Sequence, residues 1–193
     1  MHADETAKCL ARGAESLQAA RMNSNSPELA GAPADIRPAV DGDVVPIQGL
    51  ALDNGMFAPD DMAGFDEMLR GSLDGSLDET RWIVAKDAAG RVAGAACYAP
   101  EPFADRVWNL YFLAVHPDQH RSGIGTTLVA HAEQSLRTAG EQVARVLIVE
   151  TSSTDAYKAA RRFYVREGFD REARIREFYG PGDDKIVFWK SLR

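Results

Sequence analysis

At 193 residues, 45% hydrophobic and 26% charged, the chain is expected to form one soluble domain with a full core. A net charge of −7 argues against a general nucleic-acid binder, and no apolar run approaches the roughly 18–20 residues of a membrane helix. Two cysteines, Cys9 and Cys97, make no disulfide framework, and the acidic start at Asp4 and Glu5 lacks the apolar stretch of a secretory signal, so a reducing cytoplasm is the expected setting.

Residues 1–34 read as a flexible extension, rich in Ala, Ser, Asn and Gly, with a weak amphipathic pattern over 4–21. The folded domain is expected from Asp35 onward. Ile36 to Ala39 suits a short edge strand, where Pro38 is tolerated. Asp41 or Asp43 can cap a helix carrying Val44, Val45, Ile47 and Leu50, and Asp60 a second with Met62, Phe65, Met68 and Leu69 on one face. Gly71 to Glu79 is turn-rich. Trp82 to Ala85 and Val92 to Tyr98 form a hairpin around Gly90, and Val107 to Val115 makes a third, longer strand. A helix over 124–139 stops at Gly140, and Val143 to Val149 reads as a strand buried on both faces. A helix over about 155–167 ends at Gly168, and strands near 172–179 and 185–190 close the chain. The strands at 107–115 and 143–149, joined through one helix, are expected to be parallel.

The stretch from Val115 to Thr126 organises the rest. A strand end, a turn at Pro117, two glycines and a helix start make an anion site, because the first amides of a helix lack internal partners and its dipole favours negative charge. A Walker loop would need Lys after Gly125, and a dinucleotide fingerprint would need Gly at Leu128. The residues His120-Arg121-Ser122-Gly123-Ile124-Gly125 instead resemble the acetyl-CoA loop of the GNAT superfamily of N-acetyltransferases, with His120 in place of the usual Gln or Arg. A second stretch, Phe163-Tyr164 followed by Gly168-Phe169, resembles that family's late helix and its exit; Tyr157 stands where an Asn is common. Glu150 at a strand end, with Tyr164 and the later Phe178-Tyr179, looks closest to the ribosomal-protein N-terminal alanine acetyltransferase branch.

The resemblance covers about residues 35–191. It implies an α/β fold with a mixed sheet of about seven strands, mostly antiparallel around one central splayed parallel pair, and four helices. It further implies acetyl-CoA as cosubstrate, no metal, and direct transfer to a primary amine on a small molecule or a protein. His120, Arg121, Ser122, Gly123, Ile124, Gly125 and Thr126 would hold the pyrophosphate. A backbone amide within Leu113, Ala114 and Val115, exposed by a bulge, would meet the thioester oxygen. Tyr164 would protonate the leaving sulfur.

An attacking amine must lose a proton, so a base is needed near the strand opening. Glu150 is the first candidate, at the C-terminal end of a buried strand, where open sheets place ligands; partial burial would raise its pKa. Glu101, in a Pro-flanked turn, is its rival and a candidate substrate contact. His116 and His131 read as surface or structural residues. Phe178 and Tyr179 either wall the amine pocket or simply alternate in a strand. A catalytically silent acyl-CoA sensor is the alternative function, and a homodimer one option for assembly; neither nucleic acid nor membrane is expected as a partner.

Overall fold

The computed structural model describes residues 35–57, 60, 62–77 and 79–193. The expected extension at 1–34 lies outside these, as does residue 61, where a cap at Asp60 would meet its helix. The elements run β1 (Asp35–Pro38), α1 (Val44–Asp53), α2 (Met62–Leu73), β2 (Arg81–Lys86), β3 (Val92–Pro100), β4 (Val107–Val115), α3 (Ile124–Ala139), β5 (Val146–Ser152), α4 (Lys158–Arg166), β6 (Asp170–Gly180) and β7 (Asp183–Ser191). The strands form one seven-stranded sheet ordered β1-β2-β3-β4-β5-β7-β6. Every neighbouring pair is antiparallel except β4–β5. The expected mixed sheet is therefore present.

Local differences have physical causes. The second helix runs through Gly71 to Leu73, because the Met68 and Leu69 turn is buried and holds the chain helical past the glycine. The strand expected from Val143 begins at Val146, since Gly140 is left-handed and residues 140–144 close a turn on its carbonyl. The helix expected from 155 opens as a 3-10 turn, Asp155–Tyr157, before α4. Neither expected aspartate caps α1 with its side chain: Asp41 lies in a 3-10 turn ahead of it, and Asp43 makes no capping bond.

Asp43 is buried, and its carboxylate accepts two hydrogen bonds from Arg37 (2.6 and 2.9 Å) and one from the Val40 amide (2.9 Å), tying β1 to the start of α1. The Arg37 hydrogen bonds, then the Val40 amide, hold its carboxyl below the usual carboxylate range against the opposing effect of burial. A depressed carboxylate pKa contributes stability that is full above the unfolded value and lost as pH falls through the folded one. Asp43→Asn is thus expected to flatten the acid limb of a urea-midpoint-versus-pH profile. A limb as steep as wild type would place the acid-sensitive stability elsewhere.

The sheet has a layer of packing on each face. On one, Leu128, Val129, Ala132 and Leu136 of α3 and Tyr164 of α4 pack with Trp108, Leu110, Leu147, Val149, Ile186 and Phe188. On the other, α1 and α2 bury Ile47, Leu50, Phe65 and Leu69 against Trp82, Val84, Ala95, Cys97, Phe112 and Ala114. α3 comes so close to β3 that a Cβ on Gly94 would fall 2.8 Å from the Ile124 side chain and 3.1 Å from the Ala114 carbonyl oxygen. Gly94→Ala is expected to cost about 1–3 kcal/mol, the usual price of overpacking, measured by urea unfolding. A neutral result would mean that the first turn of α3 can lift without loss.

β4 does not keep one alternation along its length. Trp108 and Leu110 face the α3 layer, whereas Phe112 and Ala114 face the α1–α2 layer. The pairing with β3 steps from Cys97↔Phe112 to Tyr98↔Leu110, so Tyr111 is the extra residue of a bulge. One inserted residue moves every following side chain to the other face. β4 meets β5 only over Val107↔Val146, Trp108↔Leu147 and Asn109↔Ile148. Beyond Asn109 the two parallel strands have no shared ladder, and a gap opens.

Candidate active site

The loop after β4 is shaped by its backbone. Pro117–Gln119 form a 3-10 turn, Arg121 sits at φ +66 and Gly123 at φ +91. Left-handed residues two apart turn successive N–H groups toward one side, a concavity suited to an anion. Gly123 caps α3 without a side chain. Among the described residues, the amides of Arg121, Gly123, Ile124, Gly125 and Thr126 donate to no acceptor, and the first helical bond is Thr127 N–H to the Gly123 carbonyl. These donors, aligned with the positive end of a 16-residue helix, fit a pyrophosphate.

Not every residue of the expected cradle faces outward. The amides of His120 and Ser122 donate to the carbonyls of Pro117 (3.2 Å) and Gln119 (3.3 Å). His120 Nε2 lies 2.9 Å from the Val115 carbonyl oxygen and 3.2 Å from Asn54 Oδ1. Both partners are acceptors, so that nitrogen carries the hydrogen. Asn54, at the end of α1, donates to the same Val115 oxygen at 3.0 Å. The Ser122 hydroxyl is given to Gln119, and the Thr126 hydroxyl to Glu167. These side chains brace the loop on its neighbours and leave the amides of Arg121, Gly123, Ile124, Gly125 and Thr126 as its unbonded donors.

His116 N–H donates to the Ala93 carbonyl of β3 at 2.8 Å. Strand alternation then aims the amides of Val115 and Leu113 away from β3, into the gap, and turns that of Ala114 into the β3 ladder. Of the expected oxyanion donors, Leu113 and Val115 are thus open and Ala114 is not. The bulge lies at Tyr111, two residues earlier than the 113–115 stretch where it was expected.

Tyr164 is buried, with its ring against Phe163, Phe169 and Phe188. Its hydroxyl makes no hydrogen bond among the described residues. Burial, and to a smaller degree neighbouring Tyr157, pushes its pKa up, so it stays protonated through the neutral range.

The α1–α2 layer covers β2, β3 and part of β4 only. On that face, further along the sheet, Ile148 and Glu150 of β5 and Val187 and Trp189 of β7 are half-exposed. Two carboxylates meet this surface. Glu101, after β3, accepts from the Tyr111 hydroxyl (3.1 Å) and more distantly from Asn109 Nδ2 (3.4 Å). Glu150 pairs with Lys185 Nζ at 2.8 Å. Burial first, then the charge of Glu101 and its hydrogen bond, then that of Glu150, raise the Tyr111 pKa, which places one hydroxyl within the field of both carboxylates. Phe178 and Tyr179 stand edge to face beside them, with Lys185 Nζ 3.5 Å from the Phe178 ring centre. Both rings lie near Lys185 on this surface, with Nζ 5.9 Å from the Tyr179 ring centre.

Three residues here were missed in the sequence. Asn109 is the one polar residue in an apolar run, and its buried Oδ1 has no partner among the described residues; a buried polar group inside a strand is itself a signal. Tyr111 drew no notice because the bulge is invisible in the sequence. Lys185 opens an apolar strand, where a buried cation is unexpected. Cys97 is buried in the α1–α2 layer, and burial raises its pKa, so it is no ready nucleophile. Among the described residues no group of three or more His, Cys, Asp or Glu is placed to hold a metal, and no helix is long and apolar enough to cross a membrane.

The same fold recurs in known proteins. Comparison with curated protein sequences gives no match. Among solved structures, a protein from Desulfovibrio desulfuricans, described as an acetyltransferase of the GNAT family, is 31% identical, with 83% of this chain and 99% of that one covered at a TM-score of 0.75. The ribosomal-protein-S18-alanine N-acetyltransferase of Escherichia coli is 17% identical over 82% of this chain and 93% of that one, at a TM-score of 0.62. An aminoglycoside 6'-N-acetyltransferase complexed with coenzyme A is 15% identical over 82% and 97%, at 0.64. These last two share the fold. The model of the acetyltransferase (GNAT) family matches residues 52–169, a span holding the splayed strands, the open amides and Tyr164; the chain belongs to that family.

Proposed function

We propose that this protein moves an acetyl group from acetyl-CoA directly to a primary amine, with acceptor and donor meeting at the β4–β5 gap. The observation that carries this reading is the set of unbonded amides at Arg121 and 123–126, set beside a strand whose Leu113 and Val115 amides face an opening. When bound, the thioester supplies an activated acetyl carbon. The chain does the rest. The loop amides hold the diphosphate, and an amide of Leu113 or Val115 donates to the carbonyl oxygen as it gains charge. Glu150 accepts a proton from the amine, with Glu101 as its rival, and Tyr164 gives one to the departing sulfur.

The acceptor is a cationic amine, on a small molecule or a protein terminus, because the surface it must reach carries Glu101, Glu150 and two aromatic walls. A cytoplasmic setting, where acetyl-CoA is made and used, accords with the reading.

The test is a melting curve with and without acetyl-CoA, followed by transfer to a panel of amines and peptides. A saturating ligand that binds only the folded state adds about 2.7 kcal/mol at a hundred times its Kd. No shift in melting temperature would sink the reading. A shift with no transfer to any amine would instead leave a donor-binding module without turnover. Glu150→Gln and Glu101→Gln, compared on the best acceptor, identify the base.

A further inference from the structure

Lys185 is a cation on the acceptor surface. It lies opposite Ser152 in the β5–β7 ladder, and its side chain reaches back to Glu150 with only 11% of its area exposed. Its nitrogen is 2.8 Å from Glu150 Oε2, 3.5 Å from the centre of the Phe178 ring and 5.9 Å from that of Tyr179. Those partners, a carboxylate and two aromatic faces, are what an external ammonium would seek. The chain thus holds a primary amine where the acceptor amine has to come.

Stability alone gives a weak reason for it. A buried ion pair is often matched or bettered by well-packed apolar residues of similar size. Lys190 makes the contrast: its ammonium is held by Glu133 of α3 and the Glu167 carbonyl, on the helix-covered face and away from the uncovered one. Lys190 fastens helices to the sheet, whereas Lys185 bridges to no helix. It touches the candidate base and the aromatic wall.

We infer that Lys185 is itself an acetyl acceptor, modified by acetyl-CoA held on the same chain. This rests on the function proposed above. In the step, Glu150 takes one proton from the ammonium, and the freed nitrogen attacks the acetyl carbonyl carbon. The carbon–nitrogen bond forms and the carbon–sulfur bond breaks. Tyr164 gives its proton to the sulfur and regains one from the nitrogen. The products are an ε-acetyl-lysine, free CoA thiol and one proton. The new amide is neutral, so the pair with Glu150 and the contact over Phe178 are both lost.

The full chain is incubated with acetyl-CoA, and peptide mass spectrometry follows each lysine with time. Lys158, exposed on α4, reports uncatalysed acetylation. Lys185 is expected to gain an acetyl group at least about tenfold faster than Lys158, as suits a pre-positioned nucleophile. The rate should not change when the protein is diluted. Glu150→Gln should slow it by about a hundredfold while acetyl-CoA still raises the melting temperature, which shows the variant folded. Equal labelling of the two lysines, a rate that scales with protein concentration, or indifference to Glu150→Gln in the folded variant each overturns the inference. Stabilisation by acetyl-CoA with Lys185 left unmodified defeats this inference alone. Absence of both stabilisation and modification defeats the proposed function as well.

Discussion

Tyr164→Phe is expected to lower kcat by about a hundredfold or more, the range typical of a positioned general acid, with the affinity for acetyl-CoA and the melting temperature close to wild type. The two halves of that expectation have separate grounds. The ring is buried among Phe163, Phe169 and Phe188, and phenylalanine keeps those contacts. The hydroxyl makes no hydrogen bond among the described residues, so its removal leaves no partner stranded there. What is lost is a proton that burial keeps in place at neutral pH. The measurement is single-turnover transfer beside a thermal melt. Full turnover in the variant would remove Tyr164 from the acid role and leave water to protonate the sulfur.

The second large effect is expected at Gly123. Gly123→Val should raise the Kd for acetyl-CoA by about tenfold or more, since losing one charge-assisted hydrogen bond costs about 1.5–3 kcal/mol and 1.4 kcal/mol is tenfold. Nothing lies within 4 Å of a Cβ built there, so the cause is not a clash. It is the backbone: φ is +91, and a β-branched residue held in such a region costs about 1–3 kcal/mol. The loop relieves that strain by rotating, and the amides of Gly123 and Ile124 rotate with it. Gly140→Ala is the control, with φ at +87, open space around it and a place at the opposite end of the 16-residue α3. That variant should lose stability and keep its affinity. Equal affinity loss in both would mean that the cradle does not depend on the conformation of Gly123.

Much of this was legible in the sequence because local chemistry enforces it. The bounds of β4 and α3 follow from an apolar run, Pro117 and paired glycines, and these match to the residue. The loop's open amides follow from those that any helix start leaves unmet. Tyr164 could be picked out only through its spacing to Gly168 and Phe169. Other features depended on tertiary contacts. Asp43 looked like a cap until Arg37 claimed its carboxylate. His120 looked like a ligand contact, but the Val115 carbonyl and Asn54 hold its ring. The bulge at Tyr111 inserts no turn residue and breaks no apolar run, so nothing in the sequence marked it. Lys185 meets Glu150 only because β7 lies against β5, a neighbour relation that the chain order of the strands conceals.

The three-pair ladder between β4 and β5 carries one more consequence. A sheet cut short at its centre is a sheet missing a strand, and an extended, amide-bearing chain slipped between the two would restore it. The pantetheine arm of acetyl-CoA is such a chain. Leu113 and Val115 should therefore exchange their amide hydrogens readily in the free protein and slowly once the donor is seated, so that the ligand takes the place of the absent polypeptide.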